Sequence, residues 1–144
     1  MINQRGNAVW NGDSKGSGEI TTQSGTVKVP YSVGARFEGQ RGSNPEELIG
    51  AAHAACYTMF LSVILTKDGK QVKQLRSESK VTLDTSGETP RVTKIALTTE
   101  GEVEGLTQEE FQRYAETAKE KCPISALLQG GVDELTLTSA TLKA

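Results

Sequence analysis

The run Leu48–Leu65, LIGAAHAACYTMFLSVIL, passes eighteen residues without a formal charge and constrains the fold more than any other segment. Signals for a helix stand just ahead of it. Asn44 can cap, Pro45 suits the first helical position, and Glu46 and Glu47 complement the positive end of the dipole. A helix from Pro45 to about Thr66 is predicted, closed by Lys67-Asp68-Gly69-Lys70. A helix apolar on every side is either buried in a core or crosses a membrane. Gly50 and four alanines in the run, His53 within it and strand patterns on both flanks favour the buried helix, so no membrane span is expected.

The remaining elements follow an α+β order. Asn7–Trp10 reads as a strand leading into the turn-rich GDSKGSG. Glu19–Thr22 and Thr26–Val29 flank Ser24-Gly25 as a hairpin, and Pro30 ends the second strand or marks it as an edge. The segment SVGARFEGQRGSNP reads as a loop carrying Arg36 and Arg41. After the apolar helix come strands Gln74–Leu83 and Arg91–Val103, joined by DTSGETP. Thr107-Gln108-Glu109-Glu110 is a capping box opening a second helix, which Pro123 interrupts after Cys122. A helical turn over Ser125–Gln129 and a strand over Glu134–Leu142 complete a single domain spanning 1–144. The glycines of GDSKGSG match no nucleotide-binding fingerprint and serve the turn.

Only 35% of residues are hydrophobic, and three Phe, three Tyr and one Trp supply the large side chains. So lean a core favours burying further surface against a second copy of the chain. A net charge of −2 with interspersed signs leaves no basic stripe for nucleic acid. The N-terminus, MINQRGNAVW, is polar and lacks the apolar stretch of an export signal, so a cytoplasmic location is expected. In a reducing compartment two cysteines point to redox, catalytic or metal chemistry more than to a structural staple.

On the predicted helix Cys56 shares its face with Ile49, Ala52, His53, Met59, Phe60 and Val63. Apolar neighbours raise a thiol pKa, and the helix N-terminus is about 15 Å away, too far for its dipole to help. A reactive Cys56 therefore needs a cation from elsewhere. Arg36 is the first candidate and Arg41 the reserve, with Glu46 or Glu47 available to hold the guanidinium. Cys122, beside Lys119 and Lys121 at a helix end, is a candidate second thiol.

The block ARFEGQRGSNPEELIGAAHAACYTMFLS, with KCPIS near residue 122 and W-x-G-D near the N-terminus, resembles the OsmC branch of the OsmC/Ohr family of bacterial peroxidases. The likeness runs over nearly the whole chain. It implies an intertwined α+β homodimer with long helices at its centre. It implies that Cys56 is the peroxidatic and Cys122 the resolving cysteine, with Arg36 the catalytic arginine and Glu46 the carboxylate that orients it. It further implies organic hydroperoxides as substrates, hydrogen peroxide less efficiently, a Cys56–Cys122 disulfide, no cofactor, and a dithiol reductant of the lipoyl type. Met59, Phe60 and His53 are expected to line the substrate pocket.

Three other readings compete. His53 as a base for Cys56 would need an orienting group and an oxyanion hole, and neither is apparent. A metal held by His53, Cys56 and Cys122 lacks a fourth ligand, so no metal is expected. A non-enzymatic redox sensor or small-ligand binder would use the same thiols but shows no signalling module. One geometric expectation stands apart from the motif. Ten helical residues set Glu46 ~15 Å from Cys56 and ~80° around the axis, so Glu46 is expected to reach the site from the partner subunit.

Overall fold

The computed structural model describes all 144 residues, Met1–Ala144. Its elements are β1 (Gly6–Asn11), β2 (Ser17–Thr22), β3 (Lys28–Tyr31), α1 (Val33–Phe37), α2 (Pro45–Lys67), β4 (Gln71–Asp84), β5 (Arg91–Glu104), α3 (Gln108–Lys121), α4 (Pro123–Gln129) and β6 (Glu134–Lys143). Where the sequence reads as one domain, packing separates two compact units, Met1–Leu48 and Ile49–Ala144, the division falling inside α2.

The first unit is an antiparallel sheet in the order β1-β2-β3. The β2–β3 hairpin turns at Ser24-Gly25, where Gly25 takes φ 73°, a conformation that costs glycine nothing. Pro30 lies within β3, opposite Glu19, and is tolerated because β3 is an edge strand. Trp10 packs edge-on against Tyr31, with ring centroids 5.3 Å apart. One element departs from expectation. The segment after Tyr31 contains the helix α1, started by Ser32, whose hydroxyl accepts from the Ala35 N–H at 3.0 Å. Five residues are too few to show a helical period, so the sequence reads as loop there.

In the second unit β4 and β5 pair antiparallel along their length, and β6 joins β5 in parallel, giving the order β4-β5-β6. Parallel neighbours need a crossover, which α3 and α4 supply. The predicted capping box is present at Thr107 and Glu110, and Phe111, Ala115 and Ala118 form the buried stripe of α3. The α2 helix contributes Tyr57, Leu61 and Leu65 to a core with Ile95, Leu97 and Phe111. The Tyr57 hydroxyl donates to the Ala115 carbonyl at 3.0 Å. Gly50 allows α2 to lie close on β4: a Cβ there would stand 2.8 Å from the Ser79 carbonyl oxygen.

The expectation that α2 is buried all round needs correction for a single chain. His53, Tyr57, Leu61 and Leu65 face inward, but Ala52, Ala55, Met59 and Val63 form an exposed apolar stripe, with Met59 65% and Val63 57% exposed. By length and composition α2 would suffice to cross a membrane. The stripe of small and apolar side chains is equally a surface on which a second helix can lie closely.

Candidate active site

Cys56 sits at mid-helix in α2, and Cys122 at the joint between α3 and α4. The Cys122 N–H closes α3 on the Ala118 carbonyl, while its own carbonyl accepts from Ala126 at the start of α4. Pro123 forces this break, having no N–H to continue α3. The turn aims the Cys122 sulfur at Cys56, and the two Sγ atoms stand 3.0 Å apart as free thiols. Cys56 is half-buried, while Cys122 is fully enclosed at 0% exposure.

Their surroundings separate the two acidities. Burial raises the Cys56 thiol most, the Cys122 hydrogen bond adds to that, and an Ile124 backbone bond opposes it. Burial also weighs most on Cys122. Hydrogen bonds from Cys56, from the Ser125 backbone and hydroxyl and from the Ile124 backbone nevertheless bring it below its ordinary value. One hydrogen bond joins the two sulfurs, so the titration of each depends on the other. Within one chain the more accessible thiol is the less acidic, as its apolar helix face predicts.

Arg36 and Glu46 form the second constellation. The guanidinium Nε donates to both Glu46 oxygens at 3.1 Å, and Nη2 also donates to Oε1. The Glu46 hydrogen bond, against a smaller effect of burial, raises the Arg36 pKa further. Bidentate contact of this kind fixes the plane of the guanidinium. Both residues belong to the same chain and meet without a partner subunit. The reason is α1: the short helix missed in the sequence presents Arg36 to the first turn of α2. Glu47 is occupied separately, accepting from the Ser43 hydroxyl at 2.7 Å, and its N–H bonds the Asn44 cap at 2.9 Å. Arg41 is exposed.

The residues expected around the substrate divide. Met59 is exposed and Phe60 half-buried, packed at the edge of the core. His53 is not a pocket residue in the protomer, because none of its surface is exposed. Its Nδ1 lies 2.7 Å from Ser79 Oγ and its Nε2 2.7 Å from Ser125 Oγ. Burial lowers its pKa, which keeps the ring neutral. Hydroxyls on both nitrogens leave no lone pair for a metal beside the thiols. Ser79 and Ser125 were missed in the sequence. Ser125 carries a faint signal, three residues after a cysteine that starts a helix; Ser79 carries none.

The chain matches the family model described as OsmC-like protein over residues 37–134. It is 42% identical over 138 residues to Peroxiredoxin OsmC of Escherichia coli (strain K12), covering 94% of each chain. It is 30% identical over 118 residues to Organic hydroperoxide resistance protein OhrB of Bacillus subtilis (strain 168), covering 81% of this chain and 85% of that one. In fold it is similar to the crystal structure of an OsmC-like protein from Mycoplasma pneumoniae. There the TM-score is 0.79 at 14% identity, and 99% of each chain is covered.

Proposed function

Because this chain belongs to the OsmC-like protein family, we propose that it is a thiol-dependent peroxidase that reduces organic hydroperoxides to alcohols. The observation that carries the reading is the 3.0 Å approach of Cys56 to Cys122, in a chain whose whole-length relative bears the name of a peroxiredoxin.

In the proposed cycle the Cys56 thiolate attacks the distal oxygen of the hydroperoxide. The S–O bond forms, the O–O bond breaks, and the alkoxide takes a proton to leave as alcohol, with Cys56 oxidised to the sulfenic acid. Cys122 then attacks the Cys56 sulfur; the S–S bond forms, the S–O bond breaks and the hydroxyl leaves as water. A dithiol reductant, of the lipoyl type by the family resemblance, reduces the disulfide by two exchanges and becomes a cyclic disulfide itself. Met59 and Phe60 supply apolar surface that favours organic hydroperoxides over hydrogen peroxide. A reducing cytoplasm suits such a cycle.

The first step needs negative charge on Cys56, whereas one chain alone favours it on Cys122. The charge is moved by a guanidinium next to Cys56, which attracts the thiolate and polarises the peroxide oxygens. We assign this to Arg36, braced by Glu46, and propose a homodimer in which the intact pair of one subunit serves Cys56 of the other. The exposed stripe Ala52, Ala55, Met59 and Val63 supports such a dimer.

Turnover tests the reading. Purified protein with a dithiol should consume cumene hydroperoxide catalytically, and Cys56→Ser should abolish this. One stoichiometric oxidation followed by silence would sink the enzyme in favour of a redox sensor.

A further inference from the structure

Cys122 stands at the joint between two helices, where a small change of backbone angle would swing its sulfur away from Cys56. Two hydrogen bonds from α2, the helix that carries Cys56, hold this joint from either side. On the α3 side the Tyr57 hydroxyl donates to the Ala115 carbonyl at 3.0 Å, about two turns before Cys122. On the α4 side His53 Nε2 lies 2.7 Å from the hydroxyl of Ser125, in the first turn after Cys122. The joint itself is continuous. The Cys122 N–H donates to the Ala118 carbonyl at 2.9 Å, and the Ala126 N–H donates to the Cys122 carbonyl at 3.0 Å.

On α2 the two anchors are spaced i and i+4, so they share a face, and Cys56 lies within the turn between them. Across that turn the two sulfurs meet at 3.0 Å. His53 is fixed from its far side as well, with Nδ1 2.7 Å from Ser79 Oγ on β4. A neutral ring donates through one nitrogen and accepts at the other, so both bonds can form together. His53, Tyr57 and Ser125 are all buried, and a buried polar group that loses its partner is costly.

We propose that His53 and Tyr57 are positioning residues for the second step of the cycle. They clamp the α3–α4 joint to α2 and keep the Cys122 sulfur within reach of Cys56 while both are thiols. The proposal rests on Cys122 acting as the resolving thiol.

Positioning matters because a Cys56 sulfenic acid has two fates. When Cys122 attacks, the S–S bond forms, the S–O bond breaks, and the hydroxyl leaves as water with the Cys122 proton. In the competing reaction the sulfenic sulfur attacks a second hydroperoxide. A new S–O bond forms, the O–O bond breaks, the alkoxide leaves as alcohol with the sulfenic proton, and Cys56 is left as the sulfinate. The first reaction is intramolecular, and a misplacement of about 1 Å can cost such a step about 100-fold. The second does not depend on where Cys122 lies. The clamp therefore favours the reversible disulfide over irreversible loss of the thiol.

The effective concentration of one thiol at the other tests the clamp. It is measured in glutathione redox buffers without hydroperoxide, so its failure is separable from failure of the peroxidase reading. Oxidised glutathione forms a mixed disulfide with Cys56 and releases one glutathione thiol. Cys122 then attacks the Cys56 sulfur, the S–S bond between them forms, and the second glutathione leaves with the electron pair. Alkylation and mass spectrometry read the ratio of dithiol to disulfide at equilibrium. Tyr57→Phe and His53→Leu are expected to lower the effective concentration about tenfold, and His53→Gln, whose amide still reaches toward Ser125, to recover most of it. A merely structural role would destabilise the dithiol and disulfide forms alike and leave the ratio unmoved. Values within twofold of wild type in both Tyr57→Phe and His53→Leu would overturn the clamp, as would His53→Gln no better than His53→Leu. Wild-type protein alone supplies a second arm, whatever the variants do to folding. The Cys122 and Ala126 amide protons should exchange slowly in the dithiol form as well as in the disulfide form. Fast exchange confined to the dithiol form would show that the disulfide, not α2, holds the joint, and would overturn the proposal.

Discussion

The sulfurs of Cys56 and Cys122 stand 3.0 Å apart across 66 residues of sequence, and their surroundings push them in opposite directions. Burial is the largest influence at both: it raises Cys56, the more accessible sulfur, while at Cys122, the enclosed one, hydrogen bonds led by that to Cys56 together outweigh it. A pair arranged in this way is prepared for the second step of the proposed cycle within a single chain. The first step waits for a cation.

Removing either sulfur should separate the two steps. Cys56→Ser is expected to lose turnover entirely. Cys122→Ser should still consume one equivalent of hydroperoxide and then stop, with Cys56 trapped by dimedone as the sulfenic acid. Mass spectrometry after a single addition reads both outcomes, and unimpaired turnover in Cys122→Ser would remove it from the cycle.

Loss of the guanidinium should be felt as loss of electrostatic stabilisation. Arg36→Gln is expected to lower kcat/KM roughly 10²–10³-fold and to leave the Cys56 thiol above its ordinary range, measured by alkylation rate against pH. Glu46→Gln should cost less, because the cation survives while its plane is freed. Mixing Cys56→Ser chains with Arg36→Gln chains tests the shared site. If the pair serves the other subunit, the heterodimer keeps one wild-type site; if it serves its own chain, activity vanishes.

The exposed stripe of α2 should control assembly. Met59→Glu places a charge at a position 65% exposed in the protomer, so it should leave the fold intact while weakening a homodimer at least 100-fold. Sedimentation equilibrium across a concentration series gives the answer. An unchanged dimer would locate the interface elsewhere.

Gly50→Ala should act on stability through a close approach. The added Cβ would meet the Ser79 carbonyl at 2.8 Å, and overpacking of this kind costs about 1–3 kcal/mol. Urea denaturation should show a lower midpoint with an unchanged slope. An unaffected midpoint would mean that α2 moves off β4 at no cost.

Acid should destabilise the protein through His53. Burial depresses its folded pKa below the unfolded value of 6.5. Between those two values the unfolded chain binds the proton and the native one does not, so stability falls as pH drops from about 6.5 toward the folded pKa, then levels off. Thermal midpoints from pH 8 to 4 should show this slope in wild type and a flatter one in His53→Gln. Ser79 and Ser125, the hydroxyls facing the ring from β4 and α4, do not titrate in that range.

Much of this architecture was legible locally. The capping box at Thr107 and Glu110, the Asn44 cap, the break at Pro123 and the edge position of Pro30 are all determined by residues within a turn of one another. So is the long apolar helix, and with it the placing of a thiol at mid-helix. The motif around Cys56 added the family. Arg36 and Glu46 were named as a pair, but the short helix that joins them within one chain was not, since five residues show no period.

What the sequence by itself determined, then, is the order of elements, the caps that begin and end them, and the residue types available for chemistry. These depend on backbone preferences and side chains a few positions apart. Only the tertiary structure decided which thiol is the more acidic and that His53 is a link between hydroxyls rather than a wall of the pocket. Those outcomes depend on burial and on hydrogen bonds that cross 26 and 72 residues of chain. A thiol's acidity and an imidazole's partners are properties of the space around them, and that space exists only once α2 lies on β4 and Ser125 of α4 meets His53.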